Sequence, residues 1–220
     1  MRVAIIDYGS GNLRSAMKAF ERSARETGIA ADVLLTTDAD IVRSADRIVL
    51  PGVGAYADCK AGLAAVPGMI DALNETVIKK SRPFLGICVG MQLLFDFGEE
   101  FGTHAGLGII PGRVRPVPAT AADGTPHRIP HIGWNVLVAP AHGAGWGDTI
   151  LADLPAEPAV YFVHSFAPVP ADERTRLADC LYNGCRVSAA IRAGNTYGCQ
   201  FHPEKSGPTG LRILQNFLKN

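Results

Sequence analysis

The first half of the chain alternates short apolar runs with segments whose apolar residues recur at helical spacing. Residues 3–7 (VAIID) are typical of a buried strand. Residues 13–27 (LRSAMKAFERSARET) are typical of an amphipathic helix, with Asn12 as its N-cap and Gly28 just beyond its end. The same strand–helix pattern repeats as far as residues 83–88 (PFLGIC). This alternation predicts a parallel sheet that is covered by helices on both faces.

After about residue 105 the pattern changes to strands separated by glycine and proline. Asn183–Gly184 and Gly194–Asn195 are hairpin-type turns, and residues 210–219 (GLRILQNFLK) have the spacing of a closing helix. The hydrophobic content of 47% is enough for a sizeable core, and we find no repeat or linker. We therefore expect a single domain over residues 1–220. Its predicted class is α/β with three layers, in which a mixed sheet has a parallel N-terminal half and added antiparallel strands.

The charged residues give no indication of a charged partner. Lys+Arg and Asp+Glu balance at 21 each, so no net field favours nucleic acid or an anionic membrane. The apolar run at the N-terminus is too short for a signal peptide, and no stretch reaches the length of a membrane span. We expect a cytoplasmic protein that binds neither nucleic acid nor membrane.

The five cysteines are widely spread and include no C-x-x-C pair. An odd number without such pairs argues against a disulfide framework and against a zinc site, and we expect no metal. Each cysteine is therefore either part of the core or part of the chemistry. They are Cys59, Cys88, Cys180, Cys185 and Cys199.

Cys88 stands between a predicted strand and a predicted helix over residues 89–97 (VGMQLLFDF), in the pattern G-x-C-x-G. This is the strand–turn–helix setting of a nucleophile elbow, in which Gly86 and Gly90 relieve the clashes of a sharp turn. A thiol at a helix N-terminus is also favoured as the thiolate. The alternative is that Cys88 is only a small buried residue, as most free cysteines are.

A base for this thiol is available in residues 200–206 (QFHPEKS). In an extended segment residues two apart share a face, so His202 and Glu204 project together, and Pro203 biases His202 toward that geometry. His202 can take the thiol proton while Glu204 holds the tautomer and orientation of the imidazole. The alternative is a surface turn, because H-P-E alone is a weak pattern. The other histidines lack a carboxylate two positions later: His104, His127, His131, His142 and His164.

Acyl chemistry also needs donors for the developing oxyanion, and residues 51–56 (PGVGAY) follow another predicted strand. Open α/β sheets bind ligands at this edge, where Gly52 and Gly54 can present backbone N–H groups. The alternative is a simple turn. The loop at residues 8–12 (YGSGN) lies at the equivalent end of the first strand, but Arg14 stands where G-x-G-x-x-G needs its third glycine. We therefore expect no nucleotide cofactor, and no cofactor of any other kind.

Three segments together resemble the triad-type (class I) glutamine amidotransferases: GICVGMQLLF, PGVGAY and QFHPEKS. Further stretches narrow the resemblance to the glutaminase subunits of imidazole glycerol phosphate synthase: YGSGNLRSAMKAF, PHIGWN and YFVHSF. The resemblance spans essentially the whole chain and implies the class I glutamine amidotransferase-like (flavodoxin-like) fold. The departures from the family pattern lie outside the triad: Val89 for the usual leucine, Cys199 for an aliphatic residue, and the loops at 120–127 and 141–148.

The resemblance implies that Cys88 attacks the side-chain amide carbon of glutamine. His202 then protonates the departing ammonia and later activates water, so that the thioester hydrolyses to glutamate. It further implies a heterodimer with a (β/α)₈-barrel cyclase subunit. With the ammonia, that subunit makes imidazole glycerol phosphate and aminoimidazole carboxamide ribonucleotide in histidine biosynthesis. By the same similarity, the oxyanion strand contains Gly52 and Val53. The residues that contact glutamine are Gly54, Gln92, Glu100 and Ser165. The interface with the partner includes Asn12, Trp134 and Lys205.

The two glycines that flank Val53 leave its peptide planes easy to rotate. We therefore expect that its N–H can point away from the oxyanion until a docked partner selects the productive orientation. This predicts that the isolated chain is a poor glutaminase.

Two other function classes fit the same residues. A stand-alone hydrolase on this fold, such as a peptidase or a γ-glutamyl hydrolase, would cleave a peptide or a folate conjugate and ignore glutamine. A non-catalytic binding subunit would keep the fold alone, although the intact Cys88, His202 and Glu204 argue against it. Several assignments also have structural alternatives: an exposed helix position for Gln92, a solvated charge for Glu100, a strand hydroxyl for Ser165, and a core or rim aromatic for Trp134.

Overall fold

The structure is a computed structural model that describes residues 1–140 and 145–220. His142 and the first part of the 141–148 loop lie outside the described residues. The described strands, in chain order, are β1 (Arg2–Ile6), β2 (Asp32–Thr36), β3 (Arg47–Gly52), β4 (Phe84–Cys88), β5 (Phe95–Gly98), β6 (His104–Ala105), β7 (Ile110–Pro116), β8 (His131–Val136), β9 (Ala159–His164), β10 (Phe166–Pro170), β11 (Arg176–Tyr182), β12 (Cys185–Ala193) and β13 (Thr196–Cys199).

None of the described helices is long and apolar enough to cross a membrane. Two 3₁₀ turns, Glu173–Thr175 and Pro203–Lys205, and one π-helical segment, Asn74–Lys79, accompany them. The α-helices are α1 (Leu13–Thr27), α2 (Ala39–Ser44), α3 (Tyr56–Ala65), α4 (Met69–Leu73), α5 (Val89–Gln92) and α6 (Gly207–Lys219).

A seven-stranded sheet forms the centre of the described structure, in the order β11–β12–β13–β4–β3–β1–β2. Strands β2, β1, β3, β4 and β13 run parallel, whereas β12 and β11 join in antiparallel pairing. Apart from Arg2, strands β1, β3 and β4 are buried along their whole length, as apolar parallel strands must be when helices cover both faces. The predicted mixed sheet, with a parallel N-terminal half and added antiparallel strands, is confirmed.

Helices pack in two groups around this sheet. Helices α1 and α6 contact each other, and the rings of Phe20 and Phe217 lie 6.0 Å apart between them. Helices α2, α3 and α4 form the second group, with α3 also contacting α5. The three-layer α/β architecture therefore matches the expectation.

Two smaller sheets build the wall opposite the ends of β3, β4 and β13. One has the order β10–β7–β5–β6, and the other is the antiparallel pair β8–β9. In this pair His131 lies opposite His164. The backbone N–H of His202 donates to the carbonyl of Tyr161 at 2.9 Å, which ties the end of the central sheet to β9.

The helix predicted over residues 89–97 is wrong in extent. Helix α5 ends at Gln92, and residues 95–98 form β5, which pairs with β7 and β6. Phe95 is buried while Phe97 is 45% exposed, although residues two apart in a regular strand share a face. The register of β5 against β7 shifts between these two residues, which accounts for the difference. The apolar run LLF fits a helix and a strand equally well, and tertiary pairing with β7 decides between them. Helix α3 ends at Ala65 and α4 begins at Met69, on either side of Pro67, which cannot continue a helix.

Candidate active site

Cys88 occupies a sharp turn between β4 and α5. Its backbone angles, φ +54° and ψ −112°, lie in a region that non-glycine residues rarely adopt. The turn is so tight that a Cβ at Gly86 would lie 2.6 Å from the carbonyl oxygen of Gly90. A Cβ at Gly90 would lie 1.8 Å from the carbonyl oxygen of Leu50. Both glycines are therefore required, and the geometry is that of the predicted elbow.

His202 reaches the same edge because β13 runs parallel to β4, with Cys199 opposite Ile87. The chain then leaves the sheet beside Cys88. The Nδ1 atom of His202 lies 2.8 Å from Oε1 of Glu204, and both side chains are only 2% exposed. Because a carboxylate accepts, Nδ1 carries the hydrogen and Nε2 is left for the thiol and the substrate. Among the residues that the structure describes, Nε2 has no hydrogen-bond partner.

The electrostatics of His202 come from two opposing causes. Burial works against the charged imidazole, but hydrogen bonding and charge interaction with Cys88 and Glu204 outweigh it and raise the pKa of His202 to about 9. The Cys88 thiol is thus near enough to His202 to favour the charged imidazolium. Since α5 has only four residues, its dipole contributes less than the sequence suggested, and the imidazolium is the main charge partner of Cys88.

A cavity of about 290 Å³ opens beside Cys88 and His202. Its wall brings together seven of the residues predicted from the sequence. Gly52 lies just outside it, paired with Cys88 in the register of β3 and β4, and Glu204 lies behind His202. The seven lining residues are Val53, Gly54, Cys88, Gln92, Glu100, Ser165 and His202.

The residues predicted to contact glutamine have fixed positions in this wall. Gln92 is 4% exposed, so it is not an exposed helix residue, and its Nε2 donates at 3.0 Å to the carbonyl of Phe166. Glu100 is not a free solvated charge, because its Oε2 accepts the backbone N–H of Tyr56 at 2.6 Å. Ser165 lies at the bend between β9 and β10.

Val53 is bonded away from the cavity that contains Cys88. Its N–H donates to Oγ of Ser10 at 3.0 Å. Its carbonyl accepts from the same hydroxyl at 2.5 Å and from Sγ of Cys59 at 3.3 Å. Ser10 and Cys59 line a second cavity that shares only Val53 and Gly54 with the first. The peptide of Val53 is therefore held on the far side of the loop.

Three residues at this site were missed in the sequence. Val89 begins α5, where a first-turn N–H has no intrahelical acceptor, and the elbow pattern itself indicates this N–H as an oxyanion donor. Gln200 is 0% exposed, and its Nε2 lies 3.7 Å from Sγ of Cys88. Its position two residues before His202 in an extended segment was a signal that it shares that face. No sequence signal pointed to Ser10.

Two of the three interface candidates form one surface patch. Trp134 is 59% exposed, so it is not a core aromatic, and its ring packs edge-on against Tyr161 at 6.0 Å. The Nζ atom of Lys205 lies 5.9 Å from the centre of the same Tyr161 ring. Asn12 lies beside the PGVG loop, since a Cβ on its neighbour Gly11 would meet Cβ of Pro51 at 3.0 Å.

Comparisons with known proteins agree with this geometry. The family described as "Glutamine amidotransferase class-I" matches residues 4–220. The imidazole glycerol phosphate synthase subunit HisH of Rhodospirillum rubrum is 52% identical over 220 residues, covering 100% of this chain and 99% of the relative. The subunit of the same name from Brucella suis is 55% identical over 225 residues, with the same coverage of both chains.

Among solved structures, the chain aligns with a glutamine amidotransferase from Thermotoga maritima. The TM-score is 0.62 at 19% identity, over 95% of this chain and 78% of the other, which shows a common fold. The chain belongs to the class-I glutamine amidotransferase family, among the HisH subunits of imidazole glycerol phosphate synthase.

Proposed function

We propose that this chain hydrolyses glutamine to glutamate and ammonia, and that it delivers the ammonia to the cyclase subunit of imidazole glycerol phosphate synthase in histidine biosynthesis. The observation that carries the proposal is the buried His202–Glu204 pair beside the elbow of Cys88, in a cavity large enough for an amino acid. The full-length similarity to HisH subunits supports this assignment over a stand-alone hydrolase or a binding subunit.

The reaction begins with proton transfer from Cys88 to Nε2 of His202. Because the pKa of His202 is raised to about 9, the imidazolium is stable at neutral pH next to the thiolate. The sulfur attacks the side-chain amide carbon of glutamine. A C–S bond forms, and the carbonyl π electrons move to the oxygen.

The tetrahedral intermediate then loses ammonia. The electron pair on oxygen re-forms the carbonyl, the C–N bond breaks, and the nitrogen takes the proton from Nε2 of His202. The remaining γ-glutamyl thioester is attacked by water, whose proton passes to the now neutral His202. Collapse of this second intermediate releases glutamate and returns the proton and the thiol to their starting states. Glu204 keeps Nδ1–H of His202 fixed throughout.

The oxyanion of each intermediate needs two N–H donors. We assign them to Val89, which begins α5, and to Val53, after rotation of its peptide away from Ser10. In the resting arrangement only the N–H of Val89 is available to the oxyanion, because the N–H of Val53 is bonded to Ser10. Docking of the partner would select the rotated state, which couples ammonia release to the presence of an acceptor.

Hydrogen bonding restricts how the cavity can hold glutamine. Both hydrogens on Nε2 of Gln92 are engaged, by Phe166 and by Gln200, so only its Oε1 can face a ligand. Glu100 keeps one carboxylate oxygen beyond its bond to Tyr56. We assign both oxygens to the α-ammonium of glutamine and the hydroxyl of Ser165 to the α-carboxylate, with Gly54 closing the wall.

We assign the docking surface for the barrel subunit to Trp134 and Lys205 around Tyr161, with Asn12 beside the PGVG loop. We also propose that residues 1–220 act as a single domain, because buried residues from both halves form one hydrophobic cluster. The five free thiols suit the reducing cytoplasm, which we propose as the compartment.

An isotope experiment tests the function. The chain and the cyclase subunit are supplied with amide-¹⁵N glutamine and an excess of unlabelled ammonium. We expect ¹⁵N in the imidazole ring of the product, because ammonia passes between the subunits without mixing with solvent. Loss of the label to solvent ammonium would contradict delivery, and failure to form glutamate would contradict the glutaminase itself.

A further inference from the structure

The side chain of Gln200 lies between Gln92 and the nucleophile. It follows β13 directly and is 0% exposed, and its backbone N–H donates to the carbonyl of Ala189 at 2.8 Å. Its Oε1 accepts from Nε2 of Gln92 at 3.0 Å. Its Nε2 donates to Sγ of Cys88 at 3.7 Å. The amide therefore makes polar contacts at both ends, and one of them is with the reacting atom.

The orientation of this amide is determined by a backbone carbonyl. The oxygen of Phe166 can only accept, so Gln92 must present its NH₂ group there. The second hydrogen of that NH₂ group points to Gln200, which must therefore accept it with its Oε1. The NH₂ group of Gln200 is then left facing Cys88. If the amide of Gln200 were flipped, its oxygen would face the sulfur of Cys88, and its NH₂ group would face the NH₂ group of Gln92.

Two buried histidines hold this carbonyl in place. Nδ1 of His164 lies 2.9 Å from the oxygen of Phe166 and must carry the hydrogen. Burial lowers the pKa of His164 to about 3, so the ring is neutral and its Nε2 accepts. Nδ1 of His131 donates to that Nε2 at 3.0 Å. A continuous set of hydrogen bonds, each with a defined direction, thus leads from β8 to the sulfur.

We infer that Gln200 is a further catalytic residue, which donates its amide N–H to the Cys88 sulfur and stabilises the thiolate. A thiolate accepts a hydrogen bond more strongly than a thiol, so the donor favours the charged form. The donor is neutral, so it assists the nucleophile without competing for the proton that His202 must give to ammonia. The thiolate is also the leaving group when the thioester is hydrolysed, so the same bond assists both halves of the reaction. This inference rests on the proposed function only for its catalytic consequence.

The test measures the nucleophile directly and needs neither glutamine nor partner. The full chain is alkylated with iodoacetamide from pH 5 to 10, and modification at Cys88 is followed by peptide mass spectrometry. Gln200→Met keeps the side-chain length without an N–H, and Gln200→Glu replaces the donor by an oxygen. Gln215→Met on α6 is the matched control, because among the described residues its amide hydrogen-bonds only to Glu26.

We expect the midpoint of the alkylation profile to rise by about one pH unit in Gln200→Met, since hydrogen bonds to charged groups have about this effect. The rise should be larger in Gln200→Glu and absent in Gln215→Met. The surrounding titratable groups stay constant in Gln200→Met, so its shift reports the missing donor, whereas Gln200→Glu also adds a carboxylate whose charge opposes the thiolate. They are His202 and Glu204 after β13, Glu100 and His164 across the cavity, and Tyr8 and Cys59 behind the Val53 loop.

An unchanged midpoint in both Gln200 variants would overturn the inference. If Gln200→Met fails to fold, as thermal unfolding would reveal, Gln200→Asn keeps the amide but retracts it from Cys88, and the same rise is expected. In the glutaminase assay, kcat should fall about tenfold in Gln200→Met with KM less changed. A chain that shows the alkylation shift but no glutamine hydrolysis would retain this inference and lose the proposed function.

Discussion

The hydroxyl of Ser10 bonds both ends of one residue, Val53: it accepts the N–H at 3.0 Å and donates to the carbonyl at 2.5 Å. The two residues are 43 positions apart in sequence. Cys59 adds a second contact to the same carbonyl. Cys88, His202 and Glu204 lie together, whereas the Val53 N–H that we propose as an oxyanion donor is bonded to Ser10. This contact gives the gating expected from the PGVG sequence a specific physical origin.

Ser10→Ala should therefore raise the turnover of glutamine by the isolated chain by about fivefold. One neutral hydrogen bond contributes about 1 kcal/mol, and its loss makes the rotated peptide easier to reach. The measurement is glutamate formation without partner. Ser15→Ala on α1 is the control. If the turnover of Ser10→Ala equals that of the control, Ser10 does not hold Val53 in an inactive orientation.

Substitutions in the triad should differ in severity. Cys88→Ala should abolish glutamine hydrolysis while leaving folding and partner binding intact. His202→Ala should lower kcat more than Glu204→Gln does, because Glu204→Gln loosens the imidazole without deleting the base. Steady-state kinetics with the partner present measure this order. Residual hydrolysis by Cys88→Ala, or a larger loss in Glu204→Gln, would remove the assigned roles.

The cysteines should separate by reactivity near neutral pH. Burial raises the pKa of Cys59, of Cys180 to about 12, and of Cys199 still further, so these thiols should stay protonated. Cys88 has the imidazolium of His202 beside it and should be labelled first by a thiolate-selective alkylator. Cys185 is more exposed than the others, so Cys185→Ser serves as the control. Peptide mass spectrometry that finds label on a buried thiol before Cys88 would contradict this order.

The charge on His202 should make part of the stability depend on pH. Folding raises its pKa from the ordinary 6.5 to about 9, so the protonated ring stabilises the fold fully below about pH 6.5. That contribution is lost as the pH rises through about 9, and it is on the order of 1 to 3 kcal/mol. Urea unfolding of the wild type and of His202→Gln should therefore show a difference in free energy that shrinks between pH 6.5 and 9.5. A difference that grows over this range would reverse the sign of the argument.

Much of the fold follows from local patterns in the sequence. Buried runs such as residues 3–6 and 84–88 are typical of central strands because they are short and bounded by turn residues, and the spacing of α1 and α6 identifies helices with one apolar face. The error at residues 93–97 arose because a run of three apolar residues has no distinguishing period. What settles it is pairing with β7, which the local sequence does not encode.

The candidate site likewise contains some residues that the sequence predicted and others that it did not. The structure brings Cys88, His202 and Glu204 to one edge because an elbow and an extended segment each constrain their own neighbours, and their catalytic roles stay predictions. Ser10 and Gln200 were missed because their contacts, to Val53 and Cys88, span 43 and 112 positions. Hydrogen bonds of this kind depend on which strands become neighbours, so the folded chain shows the partner even where, as for Gln200, the extended segment indicates the face.

The most direct measurement is the rate of glutamine hydrolysis by the purified chain, alone and with the cyclase subunit and that subunit's ligand. We predict little activity alone and stimulation of at least roughly 10²-fold in the complex, the cost of one missing oxyanion donor. The affinity for glutamine should change much less, because the cavity that holds it is already formed. Full activity of the isolated chain, unchanged by partner and ligand, would contradict the account and favour a stand-alone hydrolase.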